Sequence, residues 1–311
     1  MSDLINIDAY PVKELLPILL QDKSTKKNII WATDAYTSLG PGYADKNSIT
    51  TLALSGDFVL QPRIAKSFEA QLARTRKKAE VMTPVWICNK MINYADEEWF
   101  GRKNVFNVEL EDHQWDVVDA DIWFPEGKTW QSYVDSRRLE ITCGEAPYLV
   151  SRYDTTTGEL IVPPKRRIGM LDRKLRIVNE NTNSKADWIK WAERAMQASY
   201  GYEYQGDNLL IARCNCLLSY YEYYKERFME DPDLSLLKRI ANIIAWNIWQ
   251  MDGLKDTVPL GKPHEEFHQM TLFELFSEKT EQTDDESEAV PCKIFDWRSN
   301  NSITFKKLKE M

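Results

Sequence analysis

The chain has few of the residues that build metal sites and disulfide frameworks, with three histidines and five cysteines among 311 residues. His264 and His268 lie four residues apart, but no third ligand accompanies them. A solvated polar segment is therefore favoured over a zinc pair. The cysteines, at positions 88, 143, 214, 216 and 292, show no metal-ligand spacing. We predict that they are free thiols in a reducing cytoplasm.

Long apolar runs and a secretion signal are also lacking. No apolar stretch approaches the ~18 residues that a membrane span needs. The first ten residues, MSDLINIDAY, contain neither the basic nor the apolar region of a signal peptide. These absences predict a soluble, cytoplasmic protein with no membrane partner.

What is present supports a globular core with a limited positive surface. Hydrophobic residues make up 43% of the chain, and eleven tryptophans and fourteen tyrosines add large side chains to bury. The net charge of −8 argues against a protein that coats nucleic acid, although a local basic face is compatible with it. Residues 154–184 are predicted to form such a face, with the cations Lys165, Arg166, Arg167, Arg173, Lys174 and Arg176.

The second half of the chain alternates strand-like and helix-like stretches. Strand-like stretches with turn flanks begin at residue 138 and cover residues 199–205 and 243–251. Helical stretches lie between them, at residues 186–197, 207–224 and 234–240. This alternation predicts an α/β fold, an incomplete Rossmann-like sheet of parallel strands with flanking helices. We expect a mainly helical accessory region over residues 1–70 and the α/β domain over residues 71–311.

Each predicted strand ends in an acidic residue. Glu140 precedes a turn on Cys143-Gly144, Glu203 ends the second strand, and Asp252-Gly253 follows the third. In an open parallel sheet the ligand lies beyond the carboxyl ends of the strands. An acid after the second strand suits a ribose diol, and an acid after the third suits an adenine amine. The pattern therefore predicts an adenosine-containing ligand, and leaves a dinucleotide and S-adenosyl-L-methionine both open.

A helix start precedes these strands. Thr83-Pro84 combines a hydroxyl cap with a proline at the first helical position. Residues 74–78 (RTRKK) place four cations shortly before it. Cations next to a helix N-terminus predict an anion site, because the helix dipole also favours negative charge there.

These stretches resemble the N-6 adenine-specific DNA methyltransferases of restriction-modification systems. The family's GxFxTP motif, which contacts the methionine end of the cofactor, is similar to residues 79–84 (AEVMTP). Its DPxCGxGxFL motif is similar to residues 139–149 (LEITCGEAPYL), with Ala146 in place of a glycine. Its YGxExDxxxxxLARxNLLL motif is similar to residues 200–218 (YGYEYQGDNLLIARCNCLL), and its Asp after the third strand corresponds to Asp252.

The resemblance covers roughly residues 71–260 and implies S-adenosyl-L-methionine as the cofactor. It implies that Glu203 holds the ribose hydroxyls and that Asp252 lies near the adenine. The implied cofactor site consists of Thr83, Pro84, Glu140, Thr142, Cys143, Gly144, Glu203, Tyr204, Asp252 and Gly253.

The family's catalytic motif, Asn or Asp followed by Pro-Pro and an aromatic residue, does not occur in the sequence. In the family this loop holds the adenine that is extruded from the duplex. The resemblance therefore predicts a second polypeptide that carries the motif and target recognition, and DNA contact through the completed complex. We expect its strand to pair with an open edge of the sheet and bring the motif beside Asp252.

Other interpretations remain open. A degenerate methyltransferase fold could serve as a non-catalytic scaffold or decoy subunit that binds DNA or a partner protein. A nicotinamide dehydrogenase fits the acidic strand ends, but the sequence lacks GxGxxG. A nuclease is disfavoured, because no convincing pair of acids with a lysine is found. Cys143 is favoured as a small turn residue over a nucleophile.

Overall fold

The computed structural model describes residues 4–56, 58–78, 80–261 and 289–310. The predicted polar segment around His264 and His268 lies outside these residues. The helices are α1 (Val12–Leu19), α2 (Phe68–Lys78), α3 (Val85–Phe100), α4 (Trp130–Val134), α5 (Met170–Asn181), α6 (Lys185–Gln197), α7 (Gly206–Phe228), α8 (Leu234–Asn247) and α9 (Phe305–Lys309). The strands are β1 (Asn107–Glu109), β2 (Trp115–Val117), β3 (Arg138–Glu140), β4 (Ser199–Glu203), β5 (Ile248–Gln250), β6 (Lys293–Asp296) and β7 (Asn301–Thr304).

Strands β3, β4 and β5 form a parallel sheet in that order, which confirms the α/β class and the parallel pairing. Glu140 lies opposite Gly201, and Glu203 lies opposite Gln250. Because the pairing is parallel, the carboxyl ends of β3 and β4 lie at the same end of the sheet. The strand pairs β1–β2 and β6–β7 are antiparallel hairpins. Assignment of the three-stranded sheet to a Rossmann-like methyltransferase stays a prediction.

The two edges of the sheet differ. At β5, the Gln250 side chain accepts from Ile30 N (2.9 Å) and donates to Ile30 O (2.8 Å), so the backbone of Ile30 lies beside that strand. Strand β3 lies at the other edge, where Leu139 is 42% exposed and Ile141 is 64% exposed. An edge strand with exposed apolar side chains can pair with a further strand. Within the described residues, the open edge is therefore at β3, across the sheet from Asp252. The expectation of a partner strand that brings the motif beside Asp252 stays a prediction.

Helix α7 runs through the centre of the hydrophobic core. Its sixteen buried residues include polar ones, and it packs against α1, α5, α8 and the sheet. The first residue of the helix, Gly206, has to be a glycine, because a Cβ at that position would lie 2.0 Å from Ile30 O. Helix α1 shares this core through Leu15, Leu19 and neighbouring residues. The first 70 residues thus contribute to the same core as α7 and α8, and the boundary at residue 70 stays a prediction.

The stretch 243–251 is mostly helical, which corrects the predicted strand. Helix α8 continues to Asn247, and β5 covers three residues. Ile240, Ile243, Ile244 and Asn247 are all buried, at the spacing of one helix face. Burial of that face against α1, α6 and α7 outweighs the β-branched character of the run.

The predicted basic face over residues 154–184 is also wrong, since most of its cations are buried. Arg173 donates to Asp96 (2.6 Å), Asn89 and Asn93. Lys174 Nζ donates to the backbone oxygens of Ser136 and Ala198. These side chains therefore hold α5 to the rest of the core, where a buried cation needs such partners. Within the described residues, no helix is both long and apolar enough to cross a membrane.

Candidate ligand cleft at the ends of two parallel strands

A cleft of about 440 Å³ lies beyond the carboxyl ends of β3 and β4. Three separate stretches form it: residues 80–83 ahead of α3, residues 140–148 after β3, and residues 203–208 at the start of α7. The stretches are those that the sequence motifs mark out. Its volume is within the range of sites for small organic ligands. The lining residues among those predicted are Thr83, Glu140, Thr142, Cys143, Gly144, Glu203 and Tyr204.

Both strand-end acids bind backbone N–H groups. The Glu140 carboxylate accepts from Leu149 N (2.9 Å) and Tyr148 N (3.2 Å). The Glu203 carboxylate accepts from Gly144 N (2.9 Å) and from Gln205 N (3.1 Å). Each acid thus fixes one part of the loop that follows β3. The chain after the Cys143-Gly144 turn is a loop with no helix up to residue 150.

Burial dominates the electrostatics of these two acids. It raises the pKa of Glu140 to about 8, against the two backbone hydrogen bonds, and the charge of Glu203 adds to the increase. Burial likewise raises the pKa of Glu203, although Gln205 N and Gly144 N oppose it. The cleft therefore places two carboxyl groups where the charged form is disfavoured unless donors compensate for the lost water.

The loop after β3 is held in a compact, left-handed path. Thr142, Gly144 and Ala146 have φ angles of 47°, 53° and 66°. Only glycine adopts this region without cost, so Thr142 and Ala146 carry backbone strain of about 1 kcal/mol or more each. Ala146 occupies the position where the resembled family has a glycine. The left-handed angle at Ala146 is the conformation that a glycine would adopt freely.

Cys143 is a buried turn residue in this loop. Its N–H donates to Tyr202 O (2.8 Å), and its side chain is 2% exposed. Burial raises the pKa of the thiol well above its ordinary value, and the nearby charges of Glu140 and Glu203 add to this. A neutral, inaccessible thiol is a poor nucleophile, which agrees with the expected structural role.

Glu80 lines the cleft, and its carboxylate accepts four hydrogen bonds. It accepts from Arg63 Nη1 (2.9 Å), Arg74 Nε (2.7 Å), Asn208 Nδ2 (2.9 Å) and Gln205 Nε2 (3.1 Å). Burial would raise its pKa, but hydrogen bonds and charge from Arg74, with bonds from Asn208 and Arg63, lower it. Glu80 is therefore ionised, and its four hydrogen bonds position its neighbours.

Asp207 is the second hub of the same cluster. It accepts from Arg74 Nη1 (2.9 Å), Lys66 Nζ (3.1 Å) and Tyr36 Oη (2.8 Å). The charges of Lys66 and Arg74 lower its pKa below the ordinary value despite complete burial. Arg74, the first cation of RTRKK, is thus neutralised internally by two carboxylates. The predicted anion site on that run is accordingly not supported at Arg74.

The Thr83-Pro84 pair begins α3 in a different way from the prediction. Pro84 is the N-cap residue, and no side chain caps the helix. Thr83 lines the cleft and its carbonyl accepts from Thr155 Oγ1 (2.9 Å). Pro84 instead lines a neighbouring cleft with Trp86 and His113. The pair therefore marks the rim of the cleft, with Thr83 inside and Pro84 outside.

Asp252 and Gly253 lie outside the cleft lining. The Asp252 carboxylate accepts from Leu254 N (3.0 Å), two residues on in its own turn. Gly253 packs against the Tyr202 ring. Tyr204 lines the cleft, and its pKa is raised by burial and then by the Asp252 charge. The structure thus brings Glu140 and Glu203 together and leaves Asp252 apart, contrary to the expectation of one cleft around all three acids.

Comparison with known proteins gives no relative for this chain. No family model, no curated protein and no solved structure matches it. Among the described residues, no group of three or more His, Cys, Asp or Glu side chains could hold a metal ion.

Proposed function

We propose that the cleft binds S-adenosyl-L-methionine and that the chain is the cofactor-binding part of a DNA adenine methyltransferase in a restriction-modification system. The observation that carries the proposal is the meeting of three sequence motifs around one cleft. Residues 80–83, 140–148 and 203–208 are distant in sequence and line it together. A parallel sheet binds nucleotide-like ligands at this end of its strands.

The residues present fit such a cofactor. Each Glu203 oxygen accepts one backbone N–H and keeps a second lone pair, which a ribose hydroxyl would use. The ligand's hydroxyl groups would also favour the charged form that burial disfavours. The 80–83 stretch, with Thr83 at the rim, would hold the methionine end. When bound, the cofactor supplies an electrophilic methyl group for transfer.

Methyl transfer to adenine requires groups that this sequence does not contain. An extruded base must be stacked and hydrogen-bonded through its amine, and the Asn/Asp-Pro-Pro-aromatic loop that does this is absent from the 311 residues. We propose that a second polypeptide supplies it. In doubly wound sheets the fourth strand pairs beside the first, which here is the open edge at β3 with Leu139 and Ile141.

Cofactor binding is tested by titration calorimetry with two matched variants. Glu203→Ala should weaken S-adenosyl-L-methionine binding by about 1.5–3 kcal/mol, as expected for a hydrogen bond to a charged group. Asp252→Ala should change the affinity less than about twofold, because that carboxylate is used by its own turn. Equal losses in the two variants would contradict the assignment of the ribose site. No binding by the wild type, with or without DNA, would favour the non-catalytic scaffold.

Catalysis is tested by adding a candidate partner that carries the missing motif and measuring methyl incorporation into duplex DNA. Incorporation should require both chains and should disappear with Glu203→Ala. A cofactor-binding chain that never supports methylation with any such partner would favour the scaffold or decoy alternative. Methylation by the 311-residue chain alone would mean that the catalytic residues lie within it.

A further inference from the structure

The side-chain amide oxygen of Gln205 has no hydrogen-bond partner among the described residues, whereas the neighbouring carboxylates of Glu80 and Glu203 both accept hydrogen bonds. The side chain lines the cleft and is 5% exposed. Its Nε2 donates to Glu80 Oε2 (3.1 Å), and its backbone N–H donates to Glu203 Oε1 (3.1 Å). Its Oε1 is buried and accepts no hydrogen bond from any described residue. Such an atom requires an explanation, because buried acceptors in native proteins are nearly always paired.

The orientation of this amide is fixed by Glu80. An ionised carboxylate can only accept, so Nε2 must face Glu80 and Oε1 must be the other atom. Gln205 is also the N-cap residue of α7, where a side-chain oxygen often accepts from the first turn of the helix. No such cap bond is made here. Gln205 Oε1 therefore neither contacts Glu80 nor caps α7.

We propose that Gln205 Oε1 is a specificity-determining acceptor for an O–H or N–H donor of the cofactor's nucleoside half. The inference rests on the proposed function and adds a residue that the motif comparison does not assign. The backbone bond from Gln205 to Glu203 places the amide beside the acid expected to hold the ribose. A bound nucleoside donor would satisfy an acceptor that is otherwise buried unpaired, so ligands without it would be rejected.

Asn208 provides a matched control in the same cleft. Its Nδ2 donates to the same Glu80 Oε2 (2.9 Å), and it is 1% exposed. Its Oδ1, however, already accepts from Arg74 Nη2 (3.3 Å). Gln205→Met and Asn208→Leu therefore each remove one donor from Glu80, and only Gln205→Met removes an unpaired acceptor.

The test is calorimetry of the full chain with two probes, S-adenosyl-L-methionine and 5′-methylthioadenosine, which lacks the amino-acid half. Gln205→Met should weaken both about tenfold, the loss of one hydrogen bond. Asn208→Leu should weaken them less than about threefold. Denaturant unfolding of both variants checks that they fold. If Gln205→Met does not fold, Gln205→Ala is used in its place.

Four outcomes would overturn the inference. Equal losses in the Gln205 and Asn208 variants would mean that both act only through Glu80. A loss for S-adenosyl-L-methionine but not for 5′-methylthioadenosine would move the donor to the amino-acid half. Wild-type binding that Gln205→Met leaves intact would overturn this inference alone, whereas no wild-type binding of either probe would overturn the proposed function with it.

Discussion

Arg74→Met tests the buried charge cluster beneath the cleft. The guanidinium contacts Glu80 through Nε (2.7 Å) and Asp207 through Nη1 (2.9 Å) and Nη2 (3.1 Å). Both carboxylates are buried, and both have lowered pKa values that Arg74 helps to cause. Methionine fills much of the same volume without charge. The variant therefore removes the compensation of two buried anions and leaves little cavity.

The expected loss of stability is about 3 kcal/mol, the lower end of the ~3–5 kcal/mol for breaking a buried ion pair. The lower end applies because other donors remain. Glu80 keeps its bond from Arg63, and Asp207 keeps its bonds from Lys66 and Tyr36. For a chain of 311 residues the melting temperature should fall by about 5 °C.

The assay is urea unfolding of Arg74→Met beside Arg76→Met, an exposed arginine two residues further along α2. The control should lie within about 0.5 kcal/mol of the wild type. The pKa of Asp207 is lowered in the fold, so its contribution to stability is present above its unfolded pKa and disappears at lower pH. The difference between wild type and Arg74→Met should accordingly be constant from about pH 5 to 7 and shrink below about pH 4. Equal stability of the two variants would refute the reasoning.

Two further predictions concern the entry to α7 and the acid after β3. Gly206→Ala should destabilise the protein by about 2–3 kcal/mol in denaturant unfolding, since its Cβ would meet a backbone oxygen. Gly42→Ala, with open space around it, should change stability by less than about 0.5 kcal/mol; similar losses would contradict this. Burial raises the pKa of Glu140 to about 8, so folding loses stability as pH rises from its unfolded pKa towards 8. Stability of Glu140→Gln relative to wild type should therefore increase between pH 5 and 8, and a pH-independent difference would exclude this effect.

The sheet and two of its acids could be predicted from sequence because their signals are local. Glu140 and Glu203 end short strands next to turn residues, and a parallel arrangement follows from the helices between them. The parallel pairing of the strands then brings the two acids to one cleft. Asp252, which the same reasoning places at this cleft, does not line it. A local signal for this placement exists in the sequence: Asp252-Gly253 is a typical turn pair, and the Asp side chain in such turns commonly accepts a hydrogen bond from its own backbone.

The charge cluster could not be predicted from sequence, because its partners are far apart in the chain. Arg74 and Asp207 are separated by 133 residues, and a run such as RTRKK is usually solvated. The burial of α5 cations has the same origin, since Arg173 meets Asp96 only when α3 and α5 pack together. Such pairs depend on tertiary contacts, which local patterns do not encode.

The cleft depends on the N-terminal part of the chain as much as on the sheet. Arg63 donates through its side chain to Glu80 and through its backbone to Glu145, in the loop after β3. Glu80 in turn orients the amide of Gln205, whose free oxygen faces no described donor. A ligand bound in this cleft would therefore meet a surface that is already organised by buried charges. Because those charges need one another in the absence of ligand, the cost of organising the site is met during folding, and binding energy is not spent on it.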